Sequence, residues 1–128
     1  MAKLAKKTIL VVDDDDASRV ILREMLLEAG YDVVEAADGL MALGVMEKRA
    51  VDLMITDRSM PGLGGLELLG KLKEKKKLVP TLVVSAYGEE SFWGTAIGLG
   101  AVDYLLKPFK AEDVLKIVEK SLNGKPKA

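Results

Sequence analysis

The feature that most limits the folds open to this chain is a regular alternation of short apolar runs with helix-spaced segments. Ile9–Val12, Val33–Val34, Leu53–Ile55, Leu82–Val84 and Tyr104–Leu106 are brief, continuous and rich in β-branched residues. Strands buried on both faces have this pattern. Between the first two runs, Ile21, Leu22, Met25, Leu26 and Ala29 fall on one helical face, and Gly30 supplies a C-terminal stop. The same spacing recurs in Leu68, Leu69 and Leu72, and in Val114, Leu115, Val118 and Leu122, where Glu112 and Asp113 suit a helix N-terminus. Five rounds of strand and helix imply parallel strands joined by right-handed crossovers. The expected fold is therefore α/β, a doubly wound (βα)5 sheet with helices on both faces.

A chain of 128 residues suits one domain. No repeat, low-complexity stretch or interdomain linker divides it, so residues 1–128 are read as a single domain with its core at about 7–123 and short basic tails. The Gly124–Ala128 tail reads as a frayed end or the stub of a linker. Nineteen Lys and Arg stand against twenty Asp and Glu, a net charge of -1 that names no partner. Lys75, Lys76 and Lys77 form the only tight basic run, read as a solvated helix end, so no direct nucleic-acid binding is expected. Cysteine and histidine are both absent. That inventory excludes disulfides, thiolate catalysis, Ser-His-Asp hydrolysis and most transition-metal sites, and leaves oxygen ligands suited to Mg²⁺ or Ca²⁺. The basic stretch Met1–Lys7 leads into only four apolar residues, too few for a secretory core or a membrane span. A soluble, cytoplasmic protein is expected.

In open parallel sheets, ligands bind beyond the carboxyl ends of the strands. The first run ends in Asp13, Asp14, Asp15 and Asp16, the third in Asp57 and the fourth in Ser85, and the fifth is followed by Lys107-Pro108. Carboxylates crowded at one point resist ionisation unless a cation sits among them. Mg²⁺ takes one or two protein carboxylates and keeps other positions for water and phosphate oxygens, which fits a phosphoryl-transfer site; an EF-hand would need a regular ligand series that is missing here. In such a site Asp57 is the candidate nucleophile, Lys107 neutralises charge and Ser85 donates to a phosphate oxygen.

Taken in this order, each motif at a strand end, these residues resemble the receiver domains of bacterial response regulators, including the stand-alone chemotaxis type. The resemblance runs from Ile9-Leu10-Val11-Val12-Asp13-Asp14 to Ser121. It implies a flavodoxin-like sheet of order 2-1-3-4-5, phosphorylation of Asp57, and Mg²⁺, with Mn²⁺ or Ca²⁺ able to take its place. Asp14 would ligate the metal directly, Asp13 mainly through water, and the Ser59 carbonyl would complete the shell. Ser85 and Ala86 match the switch hydroxyl and its small neighbour, Tyr104 the switch aromatic, and Pro108 a proline that is usually cis. Ser59 and Tyr87 occupy positions that tune phosphate lifetime. The phosphoryl donor would be a sensor histidine kinase or a histidine phosphotransfer protein. An unidentified downstream protein, or a second copy in a weak homodimer, would meet the surface of the fourth helix, fifth strand and fifth helix. The domain would catalyse only its own phosphorylation and dephosphorylation.

Simpler readings stand beside these. Asp16 is taken as the cap of the first helix, and Asp15 is given no role. Lys107 is expected to pair with Asp57. Trp93, the only tryptophan, is read either as core or as part of the partner surface on the fourth helix. Two rival functions are a phosphate-independent interaction module, kept alive by Arg58 and the glycines near Trp93, and an aspartyl phosphatase resembling the haloacid dehalogenases. The second lacks an acid two residues beyond Asp57, where Ser59 stands.

Overall fold

The computed structural model describes residues 6–86 and 90–123. Ten elements alternate: β1 (Thr8–Val12), α1 (Asp16–Glu28), β2 (Asp32–Ala36), α2 (Gly39–Lys48), β3 (Leu53–Asp57), α3 (Gly65–Glu74), β4 (Thr81–Ser85), α4 (Glu90–Gly98), β5 (Ala101–Leu106) and α5 (Ala111–Asn123). The five strands form one sheet of order β2-β1-β3-β4-β5, every neighbouring pair parallel.

Side chains alternate across a strand, so each run feeds two cores. Ile9, Val11, Leu53, Ile55, Leu82 and Val84 meet Leu22 and Leu26 of α1 and Val114 and Val118 of α5 on one face. Leu10, Val12 and Met54 meet Ala42 and Met46 of α2 and Leu68 and Leu72 of α3 on the other. A third cluster joins Leu69, Val83, Ala96, Ala101 and Tyr104 beneath α4. Full burial of each large aliphatic side chain contributes ~1.5–3 kcal/mol, so the strand residues of the sheet centre hold the frame.

Local signals set the helix ends. Gly30, at φ +100°, follows the α1 cap residue Ala29 and takes the left-handed conformation that closes the helix. The lysine run lies exposed at the end of α3. At the start of α1 the expectation is corrected. Asp15, not Asp16, is the cap: its backbone is extended and its carboxylate accepts the Ser18 N–H at 2.9 Å. Asp16 is already inside the first turn, where it pairs with Arg19 at 2.5 Å. No helix among the described residues is long and apolar enough to cross a membrane.

Candidate functional site

The parallel register aligns the carboxyl ends of the strands. Val12 stands opposite Thr56, Asp57 opposite Val84, and Ser85 opposite Leu106. Asp13, Asp57, Ser85 and Lys107 therefore leave the sheet at neighbouring points on one rim. Asp13, Asp14 and Asp57 each present a carboxylate oxygen within 4.8 Å of the others. Lys107 Nζ lies 3.1 Å from Asp13 Oδ2 and 3.3 Å from Asp57 Oδ1. The expected pairing with Asp57 is present, and Lys107 is shared with a second carboxylate, that of Asp13.

Asp13 is the most tightly held of the acids. Its Oδ1 accepts the Asp15 N–H at 2.9 Å, and its backbone carbonyl accepts from Arg19 Nη1 at 2.7 Å. Arg19 is fixed in turn by Glu35 of β2 at 3.1 Å, and Glu35 also binds Arg23 at 3.0 Å. Each Asp13 carboxylate oxygen thus carries one partner and keeps a lone pair for a cation or a cation-bound water. Asp14 is exposed and makes no hydrogen bond or ion pair among the described residues.

Burial pushes the Asp57 carboxyl above the usual carboxylate range; Lys107 opposes the shift, while the negative charges of Asp13 and Asp14 add to it. For Lys107, burial pulls downward but is outweighed by the hydrogen bond to Asp13 and the charges of Asp57 and Asp13, which hold the ammonium above its ordinary value. The pocket therefore favours a proton or a cation at Asp57. Three carboxylates on hard oxygen donors, one of them open to solvent, fit a divalent metal ion.

The end of β3 is also held by backbone hydrogen bonds. The Arg58 N–H donates to the Val84 carbonyl and the Gly65 N–H to the Arg58 carbonyl, both at 2.9 Å. A Cβ on Gly65 would fall 2.3 Å from the Asp57 carbonyl oxygen, so α3 begins against Asp57 only because that residue is glycine.

Ser85 is buried at the end of β4, and Ala86 is exposed beside it. Tyr104 is buried in the third cluster. Ser59 is exposed on the loop after β3, and the Lys107–Pro108 peptide bond is cis. Tyr87 lies outside the described residues. Trp93 is 50% exposed, which removes the core reading. With Tyr104, Leu106, Pro108 and Phe109 it lines a pocket of about 420 Å³.

Three residues escaped sequence reasoning. Arg19 carried a weak signal, a cation one turn into a helix that opens on acids. Gly65 carried none beyond being one of a glycine pair. Arg58 was noted only for departing from the common pattern, yet its guanidinium carbon sits 3.3 Å from the centroid of the Phe92 ring on α4.

Comparison with known proteins agrees with this geometry. A family model described as the response regulator receiver domain matches residues 9–119. The chain is 33% identical over 119 residues to sporulation initiation phosphotransferase F of Bacillus subtilis, covering 93% of this chain and 96% of that protein. It is 39% identical over 108 residues to the alkaline phosphatase synthesis transcriptional regulatory protein PhoP of Bacillus subtilis, covering 84% of this chain but 45% of that longer protein. Among solved structures, chemotaxis protein CheY4 of Vibrio cholerae superposes with a TM-score of 0.87 at 31% identity, over 92% of this chain and 100% of that one.

Proposed function

Because the chain belongs to the response regulator receiver domain family, the phosphoacceptors of two-component systems, we propose that Asp57 is its acceptor and that Mg²⁺ assists the transfer. The single observation that carries this reading is the meeting of Asp13, Asp14 and Asp57 within 4.8 Å, with Lys107 between two of them.

In the transfer, an Asp57 carboxylate oxygen forms a bond to phosphorus as the nitrogen–phosphorus bond of a phosphohistidine breaks, and the imidazole departs with the bonding pair. The donor is a sensor histidine kinase or a histidine phosphotransfer protein. A divalent ion held by Asp13, Asp14, Asp57 and the Ser59 carbonyl, with Mn²⁺ or Ca²⁺ as substitutes, would neutralise charge on the carboxylates and phosphoryl oxygens. Lys107, already poised over Asp57, pairs with a phosphoryl oxygen, and Ser85 donates a hydrogen bond to another. Movement of Ser85 toward the phosphate opens space for Tyr104, and the surface built from α4, β5 and α5 changes its affinity for a downstream protein or a second copy. Trp93 belongs to that surface, and Ser59 and Tyr87 tune the lifetime of the acyl phosphate. The chain acts as one cytoplasmic receiver unit, a signalling module whose only chemistry is on itself.

Incubation with phosphoramidate and Mg²⁺ should add one phosphoryl group to the intact mass. Asp57→Asn should abolish it. An undiminished mass shift in that variant would remove Asp57 from the acceptor role.

A further inference from the structure

Arg58 follows Asp57 directly, and its backbone is pinned on two sides. Its N–H donates to Val84 of β4, and its carbonyl accepts from Gly65 at the start of α3, each at 2.9 Å. The side chain therefore springs from a point that cannot shift without disturbing the acceptor strand. Its far end lies over the ring of Phe92, 3.3 Å from the centroid, well within the range of a cation–π contact. Phe92 is partly buried and packs against the cluster of Leu69, Val83, Ala96, Ala101 and Tyr104. One side chain thus spans from the residue next to Asp57 to the cluster that contains Tyr104, on the helix that displays Trp93.

We propose that Arg58 is a positioning residue that transmits events at Asp57 to α4 by stacking its guanidinium on Phe92. The stack is short, direct and anchored at its root, so a displacement of the β3 end is passed to the first turns of α4 rather than absorbed by a loop. A planar, delocalised cation on an aromatic face holds orientation as well as distance, which an aliphatic contact at Phe92 would not. Energetic coupling through packed side chains needs direct evidence, and a double-mutant cycle supplies it.

The inference rests on Asp57 accepting a phosphoryl group, so the experiment reads the two separately. The full chain and its Arg58→Ala, Phe92→Leu, Phe92→Tyr and double Arg58→Ala/Phe92→Leu variants are incubated with phosphoramidate and Mg²⁺. Intact mass gives the phosphorylated fraction. Amide exchange in α4 and emission from Trp93, the only tryptophan, give the response of that helix at equal phosphorylated fraction. In either single variant, the ratio of α4 exchange rates between phosphorylated and unphosphorylated protein should approach unity by about 3- to 10-fold, the range set by a partly desolvated cation–π contact. The double variant should lose no more than the singles, and Phe92→Tyr should retain the wild-type response. An unchanged α4 response in the singles would overturn the proposal, as would additive losses in the double. A lowered melting temperature with the response intact would do the same, since it marks a merely structural contact. A wild-type chain that gains no mass would overturn the acceptor reading itself, and this inference with it.

Discussion

The acid rim and α4 are built on opposite plans. The rim grows from strand ends whose preceding residues, among them Val12, Ile55 and Val84, are almost completely buried. Its side chains are tied by Lys107 and the Asp15 N–H, and Arg19 holds the Asp13 carbonyl. α4 is nine residues long, carries two glycines, and leaves Trp93 and Ile97 in solvent. Chemistry requires carboxylates held to a fraction of an ångström. A surface that must change with phosphorylation state requires an element of low local stability. The contrast is one of burial and helix composition, and the Arg58–Phe92 stack touches both regions.

The largest effect should come from testing that contrast in its crudest form. Ile55→Ala removes a side chain with no exposure at the sheet centre and should cost ~2–5 kcal/mol in urea unfolding. Ile97→Ala on α4, where the side chain is 43% exposed, should cost under ~1 kcal/mol. Equal losses at the two positions would show that α4 is as integral to the cooperative core as β3.

A second test sharpens the description of the rim. Arg19 holds the Asp13 carbonyl from outside the acid cluster, in the manner of the outer partners that orient metal ligands. Arg19→Met should weaken Mg²⁺ binding by about 10- to 100-fold, measured by calorimetric titration, because the acidic turn loses its orienting hydrogen bond. An unchanged titration would reduce Arg19 to a surface ion pair with Asp16 and Glu35.

How much of this was legible beforehand follows the same division. The sheet, its strand ends and the acids on them could be read because each strand is a continuous apolar run and its last residue has one place to go. Asp13, Asp14, Asp57, Ser85 and Lys107 therefore fell on one rim from spacing alone. The helix cap was misplaced by one residue because four consecutive aspartates offer the same side chain at every candidate position, and only the backbone angles at Asp15 select it. Gly65 was invisible because close approach of α3 to the Asp57 carbonyl is a tertiary fact. The Arg58–Phe92 stack joins residues 34 positions apart, counted as 92 minus 58, through side-chain directions that no periodicity encodes.

The third test concerns the charge stored on the rigid side. Burial and the neighbouring acids raise the Asp57 pKa above that of an unfolded aspartate, so the folded protein holds that proton more tightly. Stability from this source is complete below the ordinary carboxylate range and is lost as pH rises through the raised folded value. Without divalent cation, Asp57→Asn should remove that loss, making the variant the more stable of the two at neutral pH. Mg²⁺ should then raise the melting temperature of the wild type and leave the variant nearly unmoved. Parallel pH profiles in chelator would show that Lys107 fully compensates the buried charge.

The smallest effect is the most direct test of the soft side. Gly94 lies inside α4, and a Cβ built there meets nothing within 4 Å. Glycine in a helix interior costs ~0.8–1 kcal/mol relative to alanine, because it gives up more backbone freedom on folding. Gly94→Ala should therefore stabilise α4 by up to ~1 kcal/mol, slow its amide exchange about 5-fold, and leave phosphoramidate labelling of Asp57 untouched. If low helix stability is what allows α4 to follow the acceptor, the same substitution should blunt the Trp93 emission change on phosphorylation. Slower exchange with a full emission change would mean that α4 moves as a rigid body on its cluster. The compliance would then reside in the contacts of Phe92, Ala96 and Tyr104 rather than in the helix itself.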